Sequence, residues 1–218
     1  MIHKNRINEE ILPGKKNQVI RRTSEYEDVV LKKFSDPARF QRENDMIDLL
    51  QDSGLLMPRR LNYDWEDLTI TYSYVDGEPV VELIEDADQG KVMAIFTKIC
   101  HWLVRFYSIT RQNTGVQYIL GDIHLRNFIY QQAGDQLYGL DFEECRPGRM
   151  ESDVARLWVF ILNYQPPFTE RKKVLATLVK ETLFAALSLD EELFQQETER
   201  ETEELIKRRG TRKTFNNS

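Results

Sequence analysis

The chain has 218 residues, 41% of them hydrophobic, enough for one large domain or two small lobes with a normal core. Its net charge of −6 and pI of about 5.3 argue against nucleic acid or an anionic membrane surface as the main partner. Two cysteines, Cys100 and Cys145, are too few for a disulfide framework or a metal cluster. The start, Met1-Ile2-His3-Lys4-Asn5-Arg6, has no apolar stretch behind it, as a secretory signal would. No window reaches the roughly 18 apolar residues of a membrane span. The expectation is a soluble cytoplasmic protein.

Residues 11–34 alternate in the manner of strands. Gly14-Lys15-Lys16-Asn17 interrupts Ile11-Leu12 and Val19-Ile20 as a hairpin tip would, and Val29-Val30-Leu31-Lys32 reads as a buried strand ending on a lysine. Ser35-Asp36-Pro37 announces a helix over 38–51, with Phe40, Met46, Ile47, Leu49 and Leu50 as its apolar stripe. Met57 to Leu61 leads into another strand, and Leu68 to Val75 is a strand closing on an Asp76-Gly77 turn. The clearest helix is 89–107, whose apolar positions from Val92 to Tyr107 recur at spacings of three and four. Trp102 and Arg105 fall toward its polar side, and Cys100 reads as a small core hydrophobe. Phe128-Ile129-Tyr130 and Leu137 to Leu140 flank a turn over 131–136. A helix starts near Asp153 and another covers 170–187. From Asp190 to Lys213 the chain is charge-rich, acidic first and basic last, which suits a solvated helix and its dipole. Thr211 to Ser218 is expected to fray.

Chemistry concentrates in Gly121-Asp122-Ile123-His124-Leu125-Arg126-Asn127, followed fourteen residues after Asn127 by Asp141-Phe142-Glu143. Asn127 offers an amide oxygen and Asp141 a carboxylate, hard ligands of the kind magnesium prefers. If the loop curls, Asp122 faces an acceptor hydroxyl while Asn127 faces the metal. The intervening hairpin has the length to return Asp141 beside Asn127. Taken singly, each residue reads as ordinary turn chemistry; the joint pattern is far more specific.

G-D-x-H-x-x-N followed by D-F-E resembles the aminoglycoside-phosphotransferase branch of the protein-kinase-like superfamily. The resemblance covers about residues 11–165. It implies an α+β, two-lobed protein-kinase-like fold: a small N-terminal antiparallel sheet with one helix over 1–76, and a mostly helical C-terminal lobe with a catalytic-loop hairpin over 77–218. It further implies ATP and Mg as cofactors. Asp122, Asn127 and Asp141 become the catalytic residues, with Asn127 and Asp141 as metal ligands. Lys32, last of V-V-L-K, is similar to the phosphate-holding lysine of V-A-I-K, with Lys33 as competitor. Strand alternation sends these two lysines to opposite faces. Glu43 matches the helix glutamate that pairs with that lysine. Gly14 and Asn17 resemble the phosphate-covering loop, though an ordinary hairpin tip fits equally well. Residues 68–77 resemble the hinge between kinase lobes, so backbone groups of Ser73 and Val75 would meet adenine, with Tyr72 behind. Asp153 resembles the aspartate that braces the catalytic loop; a helix N-cap is the rival reading, and both roles are compatible.

The sequence departs from the family pattern in places. Leu120 stands where histidine often precedes Gly-Asp, and Arg126 replaces a frequent glycine. No Ala-Pro-Glu and no long activation segment follow, and the substrate region after Asp153 is small. His124 favours the aminoglycoside type over protein kinases. Three functions remain open. The first is a kinase acting on a hydroxyl of a small molecule, sugar-like ones included; the second is a compact protein kinase of the RIO type acting on a protein hydroxyl. The third, ranked last because Asp122, Asn127 and Asp141 are all present, is a pseudokinase scaffold.

Overall fold

The computed structural model describes residues 7–14 and 16–215, with backbone alone for 210–215. Met1–Arg6, Lys15 of the hairpin tip and the last three residues of the tail lie outside the described residues. The chain forms two compact units.

Unit 1 spans 1–78 and 129–145. Its frame is a five-stranded antiparallel sheet in the order β1-β2-β3-β5-β4, built from β1 (Asn8–Leu12), β2 (Gln18–Thr23), β3 (Asp28–Lys33), β4 (Arg60–Asp64) and β5 (Thr69–Ser73). The β1–β2 register ends at Leu12↔Val19, with Gly14 and Asn17 of the predicted tip between the two strands. On β3 Lys32 is buried, and Lys33, on the opposite face of the pleat, is exposed. Helix α1 (Pro37–Leu50) starts where its sequence signal places it. Asp36 caps it by accepting from the Ala38 N–H at 2.9 Å, and Pro37 fills the first turn. Its buried face is Phe40, Met46, Ile47 and Leu50.

The hairpin of β8 (Phe128–Gln131) and β9 (Gln136–Gly139) groups mostly with unit 1, whereas the sequence reading placed it in a C-terminal lobe beginning at residue 77. Two contacts draw it there. The Gly139 N–H donates to the Leu56 carbonyl at 3.1 Å. Gly77 lies so close to the hairpin that a Cβ on it would stand 2.6 Å from Ile129 Cγ2 and 2.7 Å from the Tyr130 carbonyl oxygen.

Unit 2 spans 79–128 and 146–218. A two-residue strand β6 (Glu78–Pro79) leads into α2 (Val80–Asp86), a helix the sequence reading missed. The core helix α3 runs Gln89–Thr114, seven residues past its predicted end. Its apolar stripe stops near Tyr107 but helical backbone continues to Gly115, whose φ of 72° ends it. Trp102, assigned to the polar side, is buried; it stacks on Phe106 at 5.7 Å and meets Phe128 edge-on at 5.5 Å. By length and mean hydropathy α3 would pass as a membrane span, but Ile95, Phe96, Ile99, Cys100 and Leu103 on it are buried in unit 2.

Short strands β7 (Tyr118–Ile119) and β10 (Arg146–Pro147) pair antiparallel. Then come α4 (Met150–Asn163), α5 (Glu170–Leu187) and α6 (Glu191–Phe215). Helix α4 begins at Met150, before Asp153, with Arg149 at its cap position. Helix α6 is not purely solvated: it packs on α4 and buries Phe194 and Glu201. Its backbone stays helical to Phe215, past the predicted fraying point at Thr211. The fold class is α+β as expected: an antiparallel N-terminal sheet with a helical C-terminal part.

Candidate active site

In unit 1 the predicted residues converge on one ammonium. Lys32 Nζ lies 2.7 Å from Glu43 Oε2, 2.7 Å from Asp141 Oδ1 and 3.2 Å from Glu143 Oε2. Strand β3 supplies the lysine and α1 supplies Glu43. Asp141 follows β9 with a φ of 67°, a left-handed conformation that aspartate tolerates better than most residues. Burial opposes the Lys32 charge, and Glu43, Asp141 and Glu143 outweigh it, holding the lysine protonated well beyond its usual range. Lys33 is on the other face, 3.4 Å from Asp67 and half exposed. Of the two lysines, Lys32 is the one set among these carboxylates.

Glu143 was quoted in the motif but given no role. It is buried, accepts from Asn17 Nδ2 across the hairpin tip, and sits 3.7 Å from Arg39 Nη1. Its backbone carbonyl accepts from Arg42 Nε at 2.8 Å. Gly14 makes the tip tight, since a Cβ there would stand 2.6 Å from the Asn17 carbonyl oxygen. Tyr72 donates its hydroxyl to Glu43 Oε1. Ser73 gives its N–H to the Arg59 carbonyl at 2.9 Å, and its hydroxyl accepts from the Arg59 N–H at 3.0 Å. The Ser73 N–H is thus committed within unit 1. Val75 is buried just beyond β5.

In unit 2 the Gly121–Asn127 loop is fastened from several sides. Gly121 has a φ of 77°, a conformation that suits glycine directly before Asp122. Asp153, on α4, is buried and accepts from the Leu120 N–H at 2.7 Å, the Gly121 N–H at 2.9 Å and the Tyr107 hydroxyl at 3.1 Å. Burial pushes its pKa up against the pull of those donors. The bracing role is therefore present, and the N-cap role is not, since α4 has already begun. The loop ends in a 3₁₀ turn (Leu125–Asn127) closed by the Asn127 N–H on the His124 carbonyl at 2.9 Å. Asn127 Nδ2 donates to the Asp122 carbonyl at 2.9 Å, which leaves its amide oxygen as the group suited to a cation. Arg156 bridges Asp122 Oδ1 at 3.4 Å and Glu201 Oε1 at 2.7 Å, and also donates to the Gly121 carbonyl. Exposed Arg126 lies 5.3 Å from the Tyr164 ring and 5.7 Å from the Phe160 ring.

Asn127 falls in unit 2 and Asp141 in unit 1. The donor chemistry of each fits magnesium. In unit 1, oxygens of Glu43, Asp141 and Glu143 lie within 4.8 Å of one another. One ammonium faces three carboxylates, an excess of negative charge that a divalent cation would offset. Asp141, with 38% of its side chain exposed, is the accessible member, since Glu43 and Glu143 show 3% and 4%.

Neither protein-family profiles nor curated proteins give a match to this chain. Solved structures do. A protein of Ralstonia eutropha assigned as an aminoglycoside phosphotransferase superposes with a TM-score of 0.63 at 11% identity, over 90% of this chain and 76% of its own. Aminoglycoside phosphotransferase APH(3'')-Id of Streptomyces rimosus gives 0.63 at 14% identity, over 87% and 90%. The kinase PK-1 of Cydia pomonella granulovirus gives 0.51 at 20% identity, over 64% and 55%. The chain has the protein-kinase-like fold in the form found in aminoglycoside phosphotransferases.

Proposed function

We propose that the protein is an ATP- and magnesium-dependent phosphotransferase whose acceptor is a hydroxyl of a small molecule, with sugar-like alcohols the first class to test. The observation that carries this reading is the buried ammonium of Lys32, held at once by Glu43 and Asp141. A lysine so fixed is a preformed partner for nucleotide phosphates. Asn17 and the Gly14 tip would cover them, and Ser73 and Val75 would meet the base. Asp141 and Asn127 would hold magnesium, which when bound neutralises charge on the β- and γ-phosphate oxygens. Asp122 orients the acceptor hydroxyl and takes its proton as the acceptor oxygen bonds to the γ-phosphorus. The bond from that phosphorus to the β–γ bridging oxygen breaks, and ADP leaves. The work is positioning and charge stabilisation, which these residues suit. The net negative charge favours neither nucleic acid nor an anionic membrane as partner, and a cytoplasmic location is part of the proposal.

A compact protein kinase is the second reading, favoured by the likeness to the viral kinase and by the small region after Asp153. Incubation with radiolabelled ATP and magnesium, with small-molecule pools and protein pools supplied separately, tests both. Label entering small molecules in wild type but not in Asp141→Ala supports the first reading. Label entering protein alone replaces it with the second. No labelled product, together with no thermal stabilisation by ATP and magnesium, refutes both and leaves a scaffold.

A further inference from the structure

Helix α6 has no part in the chemistry proposed above, yet one of its residues reaches toward it. Glu201 has 2% of its side chain exposed, on a helix otherwise rich in solvated charge. Burying a carboxylate is costly unless a partner compensates. That partner is Arg156 on α4, whose Nη2 lies 2.7 Å from Glu201 Oε1. The other arm, Nη1, donates to the Gly121 carbonyl and lies 3.4 Å from Asp122 Oδ1. Glu204 and Arg208 flank the pair, Glu204 at 3.9 Å from Arg156 and Arg208 at 3.6 Å from Glu201. A planar guanidinium can serve both ends at fixed geometry; a lysine ammonium, a single point charge, cannot.

We infer that α6 is a positioning element for the acceptor-side loop: Glu201 aims Arg156, and Arg156 holds the Gly121–Asp122 backbone and carboxylate in place. The inference rests on the reading of Asp122 as the acceptor-facing residue. Glu201 and Arg156 are positioning residues that act through Asp122. Without Glu201, one arm of the guanidinium loses its anchor and the loop loses the constraint that Asp153 alone does not supply. Asp153 holds the N–H groups of Leu120 and Gly121, whereas Arg156 holds the Gly121 carbonyl and the Asp122 side chain.

The test uses the full chain as wild type, Glu201→Gln, Arg156→Lys and the double variant. Amide hydrogen exchange is read across residues 120–127, and hydrolysis of ATP with magnesium is read with water as acceptor. The expected result is exchange over 120–127 faster by about tenfold in Glu201→Gln, with the β2–β3 amides unchanged. The kcat for hydrolysis falls by about tenfold while KM for ATP stays within about twofold. The double variant is no worse than Arg156→Lys alone, because both changes break one linkage. Wild-type exchange at 120–127 in Glu201→Gln overturns the inference. So does a uniform rise over α4 and α5, which would mean simple loss of stability, and so do additive losses in the double variant. If Glu201→Gln does not fold, Arg156→Lys is judged by the same exchange criterion. If wild type hydrolyses no ATP, the phosphotransfer reading fails and the exchange measurement still decides this one.

Discussion

Replacing Lys32 by methionine removes one ammonium from among three carboxylates and keeps a side chain of similar length. Glu43 and Glu143 are then left with 3% and 4% of their side chains exposed and no lysine between them. Removing one partner of a buried ion pair costs about 3–5 kcal/mol. Asp141 adds little, because its side chain is 38% exposed and water screens it. The pH dependence follows from linkage. In wild type the Lys32 pKa is raised above its unfolded value, so its stabilisation is complete below pH 10.5 and is lost only as pH rises through the folded pKa. In the variant the Glu43 carboxyl, whose pKa burial already raises above its ordinary value of 4.5, loses the lysine charge that opposed the rise. The deficit therefore grows as pH rises beyond that value and narrows on acidification. Urea unfolding at pH 8 and pH 5, followed by the fluorescence of Trp65 in unit 1, reads this directly. With a urea slope of about 1–3 kcal/mol per molar, that cost lowers the midpoint by about 1–5 M at pH 8 and by clearly less at pH 5. A fall under about 0.3 M at pH 8, or an equal deficit at both pH values, refutes the reasoning.

Asp141→Asn keeps the side-chain shape and tolerates the left-handed backbone, so its melting temperature stays near wild type while phosphotransfer falls by about 100-fold or more; wild-type turnover in this variant would remove Asp141 from the mechanism. Gly77→Ala places a methyl 2.7 Å from the Tyr130 carbonyl oxygen, and chemical denaturation is expected to register a loss of about 1–3 kcal/mol; an unchanged midpoint would show that the hairpin gives way freely. Burial pushes the Cys100 thiol up to about 12 from 9.0. Above pH 9 the unfolded chain loses this proton first, so wild type loses up to about 1.4 kcal/mol per pH unit that Cys100→Ala does not lose. Parallel stability curves for the two between pH 9 and 10.5 would contradict that assignment.

The sequence was informative where one face of an element is buried. Alternation along β3 separates Lys32 from Lys33 because successive side chains leave a strand on opposite faces, and Asp36-Pro37 marks a helix start through local hydrogen bonding alone. The family resemblance picked out Glu43 and Asp141, and the structure brings both to Lys32. Glu143 was not legible as a structural residue, because its partners lie more than a hundred residues away and its buried state depends on the hairpin tip and α1 together. Arg156 and Glu201 were hidden for the same reason: each reads as a solvated charge until α6 lies on α4. Trp102 stands three residues after Ile99 and four before Phe106, spacings that set it on the buried stripe, where its ring stacks on Phe106. The end of α3 was missed because helical backbone persists after the apolar pattern stops, until Gly115 supplies the left-handed turn.

The fastening of the Gly121 loop also has a kinetic side. Asp153 reaches back 33 residues to Leu120 and 46 to Tyr107, so three distant stretches of chain meet at one carboxylate. Contacts of that sequence separation form late, because loop closure must precede the interaction that rewards it. A chain emerging during synthesis would carry Asp122 and Asn127 for some time before α4 and its brace have followed. Competence of the loop would then date from the closure of Asp153 on Leu120, Gly121 and Tyr107, and slow maturation of activity after refolding would track that step more closely than formation of the sheet.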